Sequence, residues 1–125
     1  LELLTHKKVV YDQAVSDDQK VDSIIRTVSD LSGIPMSTML SANRHSKVVI
    51  ARQVAIYLIK ENTHLSLGRI GEVISNGRPK NHATIIYSVK AVLDDYWTAK
   101  KTKTETERYA LAEQSKDLLT ANFQI

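Results

Sequence analysis

The helical pattern is clearest in residues 66–97, which read SLGRIGEVISNGRPKNHATIIYSVKAVLDDYW. One helix is predicted over 67–75 and a longer one over 82–101, joined by the basic turn NGRPK. The glycine of the turn is typical of a helix end, and Asn81 is a favourable N-cap for the second helix. A short helix, a tight turn and a long helix predict a helix-turn-helix, and a plain αα-hairpin is the alternative.

The second of these helices carries an apolar stripe that predicts which side faces the core. The stripe is about 140° wide at 100° per residue. It consists of Ile85, Ile86, Val89, Val92, Leu93, Tyr96 and Trp97. The opposite face, with Ala83, Thr84, Tyr87, Lys90 and Ala91, is expected to be exposed. Asp94 and Asp95 are interpreted as solvated residues.

In the rest of the chain, apolar residues recur at three- and four-residue spacing, which is typical of amphipathic helices. The predicted segments are a helix over 17–32, a turn at 36–40, a helix over 47–62 and a helix over 105–122. Ten of the fourteen residues from Lys47 to Lys60 are apolar, so this helix should be the buried centre. We therefore expect an all-α bundle, whereas residues 9–11 fit either a strand or a helix flank.

Composition bounds the function. The 125 residues are 42% hydrophobic and 25% charged, which is ordinary for one soluble domain. The chain contains no cysteine, no apolar run of membrane length, no signal-peptide pattern and no P-loop, so we expect a cytoplasmic protein without membrane or nucleotide binding. The four histidines lack metal-site spacing and no catalytic grouping is evident, so we expect no metal, no cofactor and no enzyme activity.

Charge is concentrated in the centre of the chain. Residues 43–90 carry eight basic and two acidic side chains, whereas both flanking parts are mildly acidic. Such a distribution is typical of a surface that contacts phosphates, and a solvated basic face is the alternative.

The start of the second helix is the sharpest candidate site, because free N–H groups there attract phosphate and the second helix of a helix-turn-helix lies in the major groove. Asn81 would either cap the helix or pair with adenine. His82 is expected to reach a base edge or a phosphate, with a partly buried histidine as the alternative. Thr84 is expected to contact a phosphate or a thymine methyl.

Three blocks resemble one family. NHATIIYSVK at 81–90 resembles the signature of the C-terminal DNA-binding domain of the bacterial replication initiator DnaA, and ARQVAIYL at 51–58 and SLGRIG at 66–71 are similar to its preceding helices. The resemblance covers about 17–101, leaving 1–16 and 102–125 as N- and C-terminal extensions. It implies an all-α helical bundle containing a helix-turn-helix of the Trp-repressor and DnaA type.

The resemblance also implies a function and a site. It implies a protein, bacterial or encoded by a phage or mobile element, that binds double-stranded DNA in replication control or transcription regulation. The base-reading residues would be Arg52, Asn81, His82, Ala83 and Thr84. The phosphate-binding residues would be Arg44, Lys47, Arg69, Arg78, Lys80 and Lys90.

Arg52 takes the family's minor-groove role in this alignment. As a charge in an apolar helix it is also expected to emerge at an edge, and a narrow minor groove attracts arginine. The alternative is an ion pair with Glu61 or Glu72.

Departures from the family limit what transfers. Asn81 stands where the family usually has Asp, Ala83 where it often has Thr, and Gly68 where it often has Pro, so the target DNA sequence is left open. Residues 102–125 favour a stand-alone protein over an excised domain, and could pair two copies or dock a partner. The alternative function is therefore a helical protein-interaction module with only non-specific DNA affinity.

Overall fold

The computed structural model of the chain describes residues 9, 11, 14–78 and 80–123. Within these ranges the chain forms six α-helices and no strand, which confirms the predicted all-α bundle. The helices are α1 (Asp17–Ser32), α2 (Met36–Met39), α3 (Ser46–Asn62), α4 (Leu67–Ile74), α5 (His82–Thr102) and α6 (Glu107–Phe123). Val9 and Tyr11 lie in neither a helix nor a strand, and Val10 lies outside the described residues.

Local signals explain where α1 begins and ends. The Ser16 hydroxyl accepts a hydrogen bond from the Gln19 N–H, and the Gln19 side chain accepts one from the Ser16 N–H, which completes a capping box. The helix ends at Gly33, whose φ of 76° lies in the left-handed region. Its N–H donates to the Ser29 carbonyl, so the chain leaves the helix with that carbonyl bonded.

α3 is the centre of the bundle, as its composition predicts. Every residue from Ala51 to Ile59 is buried, and α3 packs against each of the other five helices. The aliphatic core that surrounds it includes Ile24, Val28, Ile70, Ile74, Ile85 and Val92. Burying such side chains contributes roughly 1.5–3 kcal/mol each, so α3 organises most of the hydrophobic stabilisation.

α5 buries a narrower stripe than its periodicity suggests. Ile85, Val92 and Tyr96 are buried, but Ile86 is 54% exposed and Trp97 is 47% exposed, so their predicted burial is wrong. Ala91 is buried although it was expected on the exposed face. The reason is that α5 is covered by α3, α4 and α6 from one side, and only part of its apolar stripe falls under them.

α6 completes the core instead of lying apart from it. It packs on α1, α3 and α5, and its Leu111, Ala112 and Leu119 belong to the same buried cluster as α3. It also covers Asp95 of α5, which is 9% exposed, so the solvated role predicted for Asp95 is wrong. The Asp95 carboxylate accepts hydrogen bonds from Thr106 and Arg108. No described helix is long and apolar enough to cross a membrane.

Candidate nucleic-acid interface

The turn between α4 and α5 is tight because two consecutive residues adopt left-handed backbone. Asn76 has φ of 61° and Gly77 has φ of 88°, and the Gly77 N–H donates to the Glu72 carbonyl at 2.7 Å. The turn then lies directly against α4. A Cβ at Gly71 would be 3.1 Å from the Cβ of Lys80, so glycine permits this close approach. The result is a helix-turn-helix.

The first residue before α5 acts as its cap. The Asn81 side-chain oxygen accepts a hydrogen bond from the Ala83 N–H at 2.7 Å, which is the capping interpretation of Asn81. Pairing with adenine would use the same oxygen, so a base would have to share it with the cap.

The following residues project from the helix start. His82, Ala83 and Thr84 are all exposed, as is Asn81. The His82 ring lies over the beginning of α4, because a Cβ at Gly68 would be 3.5 Å from its Nε2. The structure therefore brings all four residues predicted for this helix start to one accessible surface.

Three cations lie together beside this surface, and we call Arg44, Arg78 and Lys80 the basic cluster. Burial lowers the pKa of Lys80, and the charges of Arg52, Arg78 and Arg44 lower it further. Among the described residues, none of the three forms an ion pair with a carboxylate. The cluster thus concentrates positive charge that no carboxylate of the described residues neutralises.

The other cations predicted to bind phosphate are each paired within the chain. The pairs are Lys47–Glu107 at 2.9 Å, Arg69–Glu72 at 3.2 Å and Lys90–Asp94 at 2.9 Å. All six side chains are about half exposed or more. Exposed pairs of this kind contribute only about 0–1 kcal/mol, so they open at little cost.

Arg52 points into the protein. It is 9% exposed, its Nε donates to the Met39 carbonyl at 2.8 Å, and its Nη2 donates to the carbonyls of Ser41 and Asn43 at 2.9 Å each. Burial, and then the charge of Arg78, lower the pKa of Arg52.

The ion-pair alternative for Arg52 is wrong. Glu61 lies 3.7 Å from Lys116, and Glu72 pairs with Arg69. Sequence reasoning missed the actual partners because backbone carbonyls carry no side-chain signature. The only available signal was the polar loop SANRHS at 41–46, which is rich in turn-forming residues.

No described group of His, Asp and Glu side chains is arranged to hold a metal ion. The surface made by the helix start and the basic cluster therefore offers hydrogen-bond donors, one imidazole and positive charge. These groups suit a polyanion that also presents polar edges.

Comparison with known proteins agrees with this geometry. The family model described as "Bacterial dnaA protein helix-turn-helix" matches residues 21–92, which run from α1 into α5. The chain is similar to the chromosomal replication initiator protein DnaA of a Picosynechococcus strain, with 36% identity over 67 residues, or 54% of this chain. It is similar to the proteins of that name from Paraburkholderia phymatum and Burkholderia multivorans, with 35% identity over 75 residues, or 60% of this chain. The matched part spans 14% of each relative. No solved structure gives a significant match.

Proposed function

Because the chain belongs to the bacterial DnaA helix-turn-helix family, we propose that it binds double-stranded DNA with sequence specificity and acts in replication control or transcription regulation. The relatives named as chromosomal replication initiators support the replication role. The family's helix-turn-helix is a DNA-binding domain, not a catalytic one, and the proposal needs no cofactor.

The observation that carries the proposal is the exposed start of α5 beside the basic cluster. The dipole at a helix N-terminus attracts phosphate, and at the start of α5 a phosphate would compete with the Asn81 side chain for the Ala83 N–H. Burial is the largest cause of the lowered pKa of Lys80, and repulsion from Arg52, Arg78 and Arg44 lowers it further, so a bound anion would relieve that repulsion. Both features favour the same ligand, the DNA backbone.

In the proposed complex, α5 enters the major groove with its first turn leading. His82 and Thr84 donate to or accept from base edges, and Ala83 contacts a thymine methyl. The Asn81 side-chain oxygen accepts hydrogen bonds from both the Ala83 N–H and a base. Arg44, Arg78 and Lys80 hold backbone phosphates. Lys47, Arg69 and Lys90 join them when their carboxylate pairs open.

The test begins with selection of binding sites from a random duplex library at near-physiological salt. We expect an enriched motif, and affinity for it that falls with salt concentration with a slope of about −3 from the basic cluster alone. The absence of any enriched motif would contradict sequence-specific binding.

Two variants separate base reading from phosphate binding. His82→Ala should weaken binding to the selected site by roughly tenfold and binding to a scrambled duplex much less. Lys80→Ala should weaken both and reduce the salt slope by about one. The exposed His64 and Lys101 provide matched controls, since His64→Ala and Lys101→Ala should change neither quantity. Equal losses on both duplexes for His82→Ala would contradict its base-reading role.

A second candidate function is a protein-interaction module with only non-specific DNA affinity. The exposure of the large apolar side chains of Ile86 and Trp97 on α5 favours it, because exposed apolar surface on a helix can contact a protein partner. In that case the protein would retain duplex DNA only at low salt. It would also self-associate or bind a protein partner, and Trp97→Lys would abolish that association.

A further inference from the structure

The outward side of α5 carries an apolar stripe that the other described helices leave partly uncovered. At about 100° per residue, four side chains fall within an arc of about 60°: Ile86, Lys90, Leu93 and Trp97. The buried residues of α5 lie on the opposite side of the helix. Ile86 and Trp97 are about half exposed, and Leu93 is partly buried. The stripe is therefore an apolar surface that faces solvent in this structure.

A groove of about 410 Å³ lies along the stripe. Its apolar lining comes from Leu67 of α4 and from Ile86, Val89 and Leu93 of α5, and Lys90 and Asp94 add charged lining. The volume falls within the range of pockets that hold organic ligands, so an indole ring fits. Trp97 lies on the same helix, one turn beyond Leu93. One helix thus presents both a large aromatic side chain and an apolar groove.

A two-fold axis across α5 matches these two features to each other. In an antiparallel pair of α5 helices, the register that sets Trp97 of one copy opposite Ile86 of the other sets the reciprocal pair as well. Each indole then lies at the groove of the other copy. Such a contact uses the same surface twice and closes at two copies. An aromatic anchor in an apolar pocket often supplies much of the binding energy of an interface.

The charges of the stripe favour a second copy over an unrelated protein. The same register sets Lys90 opposite Leu93 of the other copy, and Asp94 is the next residue, a rise of about 1.5 Å. Within its own chain Lys90 pairs with Asp94 at 2.9 Å, and both side chains are exposed. In the antiparallel pair, each Lys90 also meets the Asp94 of the other copy. The stripe is therefore complementary to itself in charge as well as in shape.

We propose that the stripe is a dimer interface, in which two copies of the chain pair through antiparallel α5 helices and each Trp97 occupies the groove of the other copy. This contact differs from pairing through residues 102–125. The register also runs residues 98–102 of the second copy beside residues 81–85, so the dimer is a form of the protein without DNA. The inference goes beyond the proposed DNA binding and does not depend on it.

The test is sedimentation equilibrium of the full chain in the absence of DNA. A contact made by one helix of each copy is smaller than a standard interface, so we expect a dissociation constant of roughly 10–100 µM. Trp97 is the only tryptophan of the chain, so its fluorescence reports on the interface directly. Its emission should shift to the blue over the same concentration range, because the indole moves from water into an apolar groove.

Two variants separate this interface from general apolar association. Trp97→Lys should be monomeric over the whole range. Tyr87→Lys is the matched control, since Tyr87 is 65% exposed on the same helix and lies about a quarter-turn from the stripe. It should dimerise like the unmodified chain. Circular dichroism checks that both variants keep their helices.

The register is tested by separating the two charges. Lys90→Glu leaves only acidic side chains on the stripe, and Asp94→Lys leaves only basic ones, so each variant alone should dimerise at least about tenfold more weakly. An equal mixture of the two variants should dimerise again. In the mixed pair, each acidic side chain of one copy faces a lysine of the other, although neither copy contains an ion pair of its own at these positions.

Four results would overturn the proposal. The first is an unmodified chain that stays monomeric at about ten times the expected dissociation constant. The second is a Trp97→Lys variant that dimerises as strongly as the unmodified chain. The third is an equal mixture of Lys90→Glu and Asp94→Lys that stays monomeric, and the fourth is a loss of dimer in Tyr87→Lys as large as that in Trp97→Lys. Because no measurement uses DNA, a failure of the proposed DNA binding would leave each of these results unchanged.

Discussion

The two halves of α3 each help to bury a cation, and they do so in different ways. In the N-terminal half, Arg52 turns towards the α2–α3 loop, and its partners among the described residues are backbone carbonyls, with further cations nearby. In the C-terminal half, Tyr57 and Glu61 meet Lys116 of α6, which is 1% exposed.

In the C-terminal half of α3, Lys116 is buried and its charge is offset by a carboxylate. Its Nζ donates to the Tyr57 hydroxyl at 2.7 Å and lies 3.7 Å from Glu61 Oε1. It also lies 4.4 Å from the ring centre of Tyr96, whose hydroxyl donates to Glu113. A buried cation with a carboxylate and aromatic rings around it ties three helices together.

The comparison indicates that the partners of a buried cation decide whether it stabilises the core or contributes positive charge at the surface. Carboxylate and aromatic partners neutralise Lys116, so its contribution is to attach α6 to the core. Carbonyl partners leave the charge of Arg52 in force, so its field reaches the surface that carries the basic cluster.

Lys116→Met should cost the most stability. The change leaves the Glu61 carboxylate without its cation in a partly buried site, and losing one partner of such a pair typically costs about 3 kcal/mol or more. Urea unfolding measures the loss. Lys60→Met, at an exposed lysine on α3, is the control and should change the free energy of unfolding by less than about 0.5 kcal/mol. Equal stability of the two variants would contradict a stabilising role for Lys116 in the core.

Compared with Lys116→Met, Arg52→Met should cause a smaller loss of stability and a larger loss of DNA affinity. The bond to the Met39 carbonyl is buried, whereas those to the Ser41 and Asn43 carbonyls are part-buried, so water can replace the donors for two of the three partners and we expect about 1–2 kcal/mol. The same unfolding measurement, paired with duplex binding, checks the order of the two variants. A larger unfolding loss for Arg52→Met than for Lys116→Met would reverse the comparison.

Alkaline pH should reduce the stability that the buried tyrosines around Lys116 contribute. Burial raises the pKa of Tyr57 and Tyr96 above the usual 10, with Glu61 and Glu113 adding to the effect. A pKa raised in the folded state means that the stability contribution is complete below pH 10 and is lost as pH rises towards the folded value. Each such tyrosine should remove about 1 kcal/mol between pH 10 and 11.

Urea unfolding curves across that interval measure the loss. In Tyr57→Phe the free energy of unfolding should fall by about 1 kcal/mol less between pH 10 and 11. Tyr11 follows the same rule, since burial raises its pKa to about 12, and it lies outside the Lys116 cluster. Tyr87 is exposed and serves as the control, because Tyr87→Phe should leave the slope unchanged.

Glu107→Gln should have the smallest effect on stability. Its pair with Lys47 is exposed, so the loss should stay below about 0.5 kcal/mol. Freeing Lys47 should raise duplex affinity about twofold and make the salt slope steeper. Unchanged affinity would remove Lys47 from the set of phosphate-binding residues.

Much of the fold could be predicted because its signals are local. Caps such as Ser16 and Asn81, the glycines at 33 and 77, and the apolar run of α3 each act within a few residues. The helix-turn-helix and the exposed residues 81–84 followed from the same signals, since a helix start is defined by its own backbone. The family resemblance then located the basic residues near it.

Local sequence signals specify the helices, their order and the surface at the start of α5. Which charges are buried, and against which partners, depends on tertiary packing: Arg52 lies against three carbonyls, Asp95 against Arg108, and Lys116 against tyrosines and Glu61. The physical reason is the sequence separation of the interacting groups, because a helix cap needs only residues that are close to it in the chain. A buried charge needs whichever element happens to cross over it, and periodicity does not specify that crossing.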